Sequence, residues 1–202
     1  MGTENVALMK MARESLKGNW GLAIGTFLVY FIIMGFLQGM ADYYPMIALG
    51  SLLISGPMAL GITLFSLSIA RDQNARLQQI FDGFNNFGTA LGAYLLIIIF
   101  VLLWMLLLII PGIIAAISYA MTFYIIADDP TIGPLEAIDK SKKMMDGYKW
   151  KFFLMYLVFF GWGLLCILTL GIGFLWLLPY VQVSTAKFYD DIKERQFTPE
   201  TI

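Results

Sequence analysis

The 202-residue chain contains no histidine and a single cysteine, Cys166. A histidine general base, a histidine-ligated metal and a Ser-His-Asp arrangement are therefore excluded, and so is any disulfide within the chain. Cys166 lies deep in an apolar segment, where a thiol serves as a small packing residue. Charge is also scarce: 13% of residues are charged, against roughly 25% in a soluble domain. The charges that exist are clustered. The stretches 18–41, 43–70, 83–127 and 152–186 carry none at all. A cleavable leader is not expected, because the first apolar run follows Glu4 and Glu14 and exceeds the ~7–15 residues of a leader core. Myristoylation of Gly2 is not expected either, since Val6 replaces the required Ser or Thr.

What is present is hydrophobicity, at 59% of residues. Uncharged apolar runs of about 18 residues or more read as transmembrane helices. The run 83–127 has 45 residues, roughly 68 Å as one helix, more than twice the ~30 Å hydrocarbon core. It must turn back, and Pro111-Gly112 is the expected turn, with helices over about 89–109 and 111–128. The run 152–186 has the same problem. Its expected turn lies at Thr169-Leu170-Gly171-Ile172-Gly173, between helices over about 151–169 and 172–189. With spans over about 19–40 and 46–70, the sequence predicts an all-α membrane protein of six transmembrane helices in three tight hairpins.

Orientation follows from basic residues. All 13 Lys and Arg residues fall on one side of this arrangement, and of the 14 acidic residues only Asp42 falls on the other. By the positive-inside rule both termini are expected in the cytoplasm. The expected site is a membrane crossed many times.

The polar segments are patterned. Leu8, Met11, Ala12, Ser15 and Leu16 recur at helical spacing before the first hairpin. Leu77, Ile80, Phe81 and Phe84 do so before the second, and Ile138, Ser141, Met145 and Tyr148 before the third. Each set predicts a cytoplasmic interfacial amphipathic helix. Hairpins end alike, at Arg71-Asp72, Asp128-Asp129 and Asp190-Asp191, and Trp104 and Trp162 occupy matching places. The expectation is one membrane domain over 1–202 built from three degenerate units, about 5–72, 75–129 and 134–191, packed with pseudo-threefold symmetry.

Lys17 with Trp20, and Lys149-Trp150-Lys151, have the composition of headgroup anchors. Pro57 and Pro179 are expected to break spans two and six. The polar groups expected at depth include Gln38, Ser51, Ser55, Thr63, Ser66, Ser118, Thr122, Gln182 and Ser184; they either bond across helices or line a polar path. Paired aspartates at helix C-termini oppose the helix dipole. Lys140, Lys142 and Lys143, or a divalent cation, are the expected compensation. Gly171-Ile172-Gly173 does not read as a phosphate loop, because Trp176 stands where a third glycine belongs and no strand precedes it.

At Gly161-Trp162, Leu168-Thr169-Leu170-Gly171-Ile172-Gly173, Leu175-Trp176, Pro179-Tyr180 and Phe188-Tyr189, the chain resembles the bacterial integral-membrane proteins of domain-of-unknown-function family 975. Ser141-Lys142-Lys143-Met144-Met145-Asp146-Gly147-Tyr148-Lys149-Trp150-Lys151 fits as well, with Asp146 replacing a basic residue. In the N-terminal half the best match is Ser15-Leu16-Lys17-Gly18-Asn19-Trp20. More distantly, the layout is similar to membrane domains attached to some glycerophosphodiester phosphodiesterases, whose catalytic domain these residues do not contain. The resemblance implies a six-span, multi-pass protein of the bacterial inner membrane and no reaction. The leading expectation is a non-enzymatic protein acting through membrane lipids, a protein partner or a second copy, in envelope homeostasis, with no cofactor, metal or nucleic acid. The alternative is a small transporter or channel with a polar path between the hairpins. An enzyme would require Asp72, Asp129 and Asp191 to converge on a metal.

Overall fold

The computed structural model describes residues 3–41 and 43–197, so the expectations placed on Gly2 and Asp42 lie outside the described residues. Among the described residues there are helices and turns and no strand. In chain order the helices are α1 (Asn5–Ser15), α2 (Trp20–Ala41), α3 (Pro45–Ala70), α4 (Gln79–Asp82), α5 (Phe87–Leu107), α6 (Ile109–Ser118), α7 (Thr122–Asp128), α8 (Pro134–Met144), α9 (Lys149–Leu168) and α10 (Phe174–Phe197). A 3-10 turn over Gly83–Asn86 joins α4 to α5.

Five stretches are long and apolar enough to cross a membrane: Trp20–Ala41, Ile47–Ala70, Gln79–Leu107, Ile109–Asp128 and Lys149–Leu168. They mark a membrane protein. They are unequally covered. The α3 stretch is 67% buried and the α6–α7 stretch 44%, against 17% for α2, 11% for α5 and 17% for α9. So α3 is the core of the bundle, packed by α2, α4, α5, α7 and α10. The outer helices expose rows of large apolar side chains, including Phe36, Leu106, Phe160 and Leu168.

Beside a core of large buried side chains such as Phe65, Met58 and Leu60, close backbone contact holds α3 against the α4–α5 corner. A Cβ on Gly61 would lie 1.9 Å from the Ile80 carbonyl oxygen, and one on Gly83 2.0 Å from that of Pro57. One on Gly56 would lie 2.7 Å from the Ala90 carbonyl oxygen. Only glycine lets α3 meet the α4–α5 corner this closely, which is the small-residue packing of membrane bundles.

Several expectations need correction. Neither Pro57 nor Pro179 breaks its helix: α3 and α10 run through them. A proline deletes one hydrogen bond per helix, and the bonds and packing on either side of Pro57 keep α3 continuous. The break in the 83–127 run falls at Leu108, whose extended backbone (φ −160°, ψ 144°) separates α5 from α6. Pro111 is instead the third residue of α6, within the first turn where proline suits a helix. Gly112 follows the reversal and permits close packing: a Cβ there would lie 3.0 Å from the Met105 Cα. The expected helix before the second hairpin shrinks to the single turn α4; Ile80 is buried, but Phe81 and Phe84 are exposed.

The other two polar helices are full length. α1 buries Leu8, Ala12 and Ser15, and α8 buries Ala137, Ile138, Ser141 and Met144. Each turns into the following helix at a glycine with positive φ, Gly18 (+85°) and Gly147 (+77°). The α9–α10 turn has a different solution. Leu170 and Gly171 both have positive φ, 53° and 85°. The Gly171 N–H donates to the Cys166 carbonyl and the Leu170 N–H to that of Ile167, the paired bonds of a Schellman motif. The Thr169 hydroxyl then accepts the Gly173 N–H at 3.0 Å, starting α10.

Between α6 and α7 the helix is interrupted at Tyr119–Met121. Interruption orphans backbone groups, which are costly when buried. Ser141 of α8, fully buried, serves both sides of the gap. Its hydroxyl donates to the Ser118 carbonyl at 2.8 Å and accepts the Met121 N–H at 3.1 Å. Ser141→Ala should therefore cost about 2 kcal/mol, the usual penalty for stranding a buried hydrogen-bonding group. Ser141→Thr should keep most of it. Thermal melts in mild detergent measure both.

Candidate functional site

The polar chemistry of the chain gathers where α3, α7 and α10 end or emerge. Arg71 follows the last residue of α3, Asp128 closes α7, and Asp190 lies on α10. The Arg71 guanidinium grips Asp128 with two parallel bonds, Nη1–Oδ1 at 2.7 Å and Nη2–Oδ2 at 3.0 Å. Its Nη2 also reaches Asp190 Oδ1 at 2.7 Å, and its Nε lies 3.2 Å from the same oxygen. Tyr189 donates to Asp128 Oδ2 at 2.9 Å, and Lys193 donates to that oxygen too. Lys187 donates to the carbonyl of Ala70, a last-turn carbonyl of α3. The hydrogen bonds to Asp128 raise the Arg71 pKa; partial burial opposes this and Asp190 adds to it, so the guanidinium is held charged.

This arrangement relocates the expected compensation of the aspartates. Lys140, Lys142 and Lys143 do not pair with Asp128 or Asp190, although Lys140 acts electrostatically on Asp129; Arg71 pairs with both Asp128 and Asp190. Among the described residues no group of three or more His, Cys, Asp or Glu side chains could hold a metal ion. The place between the two carboxylates is filled by a guanidinium, whose planar fork suits two carboxylates as a divalent cation's round charge would. Asp129 stays outside the knot and accepts bonds from the Thr131 N–H and hydroxyl.

A model of the family DUF975, described as a protein of unknown function, matches residues 1–119 and, overlapping, 105–196. The chain belongs to this family. No curated protein and no solved structure matches it. The knot, then, is part of a DUF975 fold in which α3, α7 and α10 are tied at one end.

Beside the knot a second cluster ties down the start of the DUF975 chain. Asp191 accepts from the Thr3 hydroxyl at 2.5 Å, from Lys151 at 3.0 Å and from Arg195 at 3.1 Å. Asn5 donates to the Lys151 carbonyl at 2.8 Å. Lys151 also lies 5.1 Å from the Phe188 ring centre. Of the five proposed headgroup anchors, Lys151 is therefore turned inward, because a nearly buried carboxylate competes for it. Trp150 is 69% exposed and stacks on Phe153, Lys17 is exposed, and Lys149 and Trp20 are half-buried.

Burial by itself would raise the Asp191 carboxyl pKa, but the bonds from Thr3, Lys151 and Arg195 outweigh it and hold the group below its ordinary value. A depressed carboxyl contributes stability above its unfolded pKa of about 3.9 and loses it as pH falls through the lower folded value. The stability difference between the native protein and Asp191→Asn should accordingly be flat above about pH 5 and shrink below about pH 4. Hydrogen exchange of α1 amides at stepped pH reads it directly.

Two cavities complete the picture. One, of about 290 Å³, has among its lining Tyr30, Thr63, Tyr124, Tyr156, Gln182 and Thr185. Tyr124 donates to the Gln182 side chain at 3.1 Å and stacks on Tyr189, the knot tyrosine, with ring centres 5.4 Å apart. The polar groups expected at depth are thus divided. Thr63 and Gln182 line this cavity, whereas Ser66 and Ser118 do not; the hydroxyls of Thr63, Ser66 and Ser118 all return to carbonyls of their own helices. The other, about 340 Å³, is a groove running from Arg13 on α1 and Trp20 on α2 to Cys166 and Gly173 at the α9–α10 turn. Trp162 and Trp176 line it between those ends. Cys166 is half-buried there. Periodicity could not reveal this groove, because its residues come from four helices far apart in sequence.

Proposed function

We propose that this DUF975 chain is a non-enzymatic protein of the bacterial cytoplasmic membrane that works through membrane lipids or a membrane-embedded partner, in envelope homeostasis. The observation that carries this reading is the separation of the two kinds of surface. Asp128, Asp190 and Asp191 are tied to cations in the Arg71 and Asp191 clusters. The tryptophan-lined groove, by contrast, is open, with Trp162 54% and Trp176 50% exposed.

The accompanying topology is six spans in three hairpins with both termini cytoplasmic. α10 would be the sixth span. Its first part, Phe174–Ala186, is uncharged, and its charges begin only at Lys187, where they meet the knot. Support for three related units comes from burial: the leading helices α2, α5 and α9 are the exposed ones, and α3 and α6–α7, which follow α2 and α5, are the better covered. The matching glycine corners at Gly18 and Gly147 support it too. The layout similarity to glycerophosphodiester phosphodiesterase membrane domains belongs to the same reading.

Two experiments test it. With Cys166 replaced by serine, single cysteines at Leu170 and Thr131 should label from opposite faces of sealed vesicles; labelling from one face sinks the six-span topology. Purification in mild detergent should retain lipid or a protein partner, and deletion should sensitise cells to envelope stress. A lipid-free, partner-free protein whose loss is silent under such stress overturns the function.

A second reading, solute transport, is favoured by the polar cavity at Tyr124 and Gln182, whose Tyr124 ring stacks on Tyr189 of the knot. It requires flux across proteoliposomes that Gln182→Leu abolishes.

A further inference from the structure

The groove between α1, α2, α9 and α10 has the layout of an amphiphile site. Arg13 is its cationic lining residue. It is exposed, and among the described residues it has no ion-pair or hydrogen-bond partner, unlike Arg71, Lys151, Lys193 and Arg195. Lys17, in the turn just past the end of α1, is also exposed and unpaired among the described residues. Among the described residues no carboxylate lines the groove. Beyond Arg13 the walls are Trp20, Trp162, Trp176, Leu177 and Tyr180, all apolar or amphipathic. One end thus offers a free guanidinium, and the rest offers aromatic and aliphatic surface.

We infer that this groove binds one anionic phospholipid, its phosphate on Arg13 and an acyl chain along Trp20, Trp162 and Trp176. The inference rests on the lipid-engaging reading above and names the ligand class. Three physical points select this occupant. A guanidinium pairs with phosphate through two parallel bonds. Tryptophan and tyrosine rings suit the zone between headgroup and hydrocarbon. The unbalanced positive charge selects an anionic headgroup over a zwitterionic one.

The test uses the full chain with Trp104→Phe and Trp150→Phe, leaving Trp20, Trp162 and Trp176 as the tryptophan reporters. The protein is placed in phosphatidylcholine vesicles carrying either bromine-labelled phosphatidylglycerol or bromine-labelled phosphatidylcholine. Phosphatidylglycerol should reach half-quenching at about fivefold lower mole fraction, the size expected of one cation at an anionic surface. Arg13→Gln should erase the difference, and Arg13→Lys should keep part of it. Equal quenching by the two lipids overturns the anionic site while leaving a lipid-facing protein. Tryptophans shielded from both lipids identify a second copy or a partner as the occupant and overturn the proposal together with the lipid reading. Should Arg13→Gln lose its helical circular dichroism, the native protein at low and high salt decides. The phosphatidylglycerol preference must fall with salt, and a salt-independent preference rules out the Arg13 contact.

Discussion

Gly61→Ala should prevent this bundle from forming its native core, with a loss of about 3 kcal/mol or more. Inserted methyls in tight cores ordinarily cost about 1–3 kcal/mol because side chains can shift aside. Here the obstacle is backbone. The new Cβ would sit 1.9 Å from the Ile80 carbonyl oxygen and 2.8 Å from the Ile80 Cα. Relief requires α3 to move away from the α4–α5 corner, and α3 is the helix most of the bundle packs on. Gly83→Ala meets the same wall from the other side, 2.0 Å from the Pro57 carbonyl oxygen. Gly35→Ala, a helical glycine with open space at its Cβ, is the control and should be neutral or slightly stabilising. Detergent-resistant folding, read by size-exclusion profile and thermal melt, separates the three. A Gly61→Ala protein that melts with the native one would mean that α3 and α4 do not touch through glycine.

Arg71→Met should cost about 2 kcal/mol. Removing one partner of a buried ion pair costs about 3–5 kcal/mol and of an exposed pair about 1 or less. The knot lies between these limits, with side-chain exposures of 27% for Arg71, 15% for Asp128 and 22% for Asp190. Two carboxylates would then face each other with Lys193 as the remaining cation bonded to Asp128. Arg71→Lys should recover less than half of the loss, since one ammonium cannot make both the fork to Asp128 and the contacts to Asp190. Adding Asp190→Asn to Arg71→Met should restore part of the stability, because it relieves the repulsion that the first change creates. Equal melting of Arg71→Met and that double variant would show that Asp128 and Asp190 do not sense each other through Arg71.

The knot also shows why some of the site was not legible in the sequence. Arg71 reads as one more basic residue on a positive side, and three lysines in 140–143 look the better partners for the aspartates. Helical spacing orders residues along one element; it says nothing of which helix ends meet. The meeting of 71, 128 and 190 depends on three turns and on the close α3 contacts. Lys151 is a similar case. Beside Trp150 it has the composition of a headgroup anchor, and only the arrival of Thr3 and Asp191 draws it inward. The Leu108 reversal was hidden for another reason: proline marks where a helix can begin, and Pro111 does stand in the first turn of α6, three residues past the break.

Long uncharged runs determined that this chain is helical and belongs in a membrane, because unpaired backbone cannot lie in hydrocarbon and few charges are available to hold it in water. The length of those runs against the bilayer predicted that two of them are interrupted, as they are at Leu108 and before Phe174, and the spacing in α1 and α8 predicted most of the covered faces, the exposed Met11 excepted. The tertiary structure alone decided which helices are central, where the charges neutralise and where Arg13 stands without an ion-pair partner among the described residues. Those outcomes depend on contacts between residues distant in sequence, set by how closely glycine backbones approach, and no local pattern encodes them.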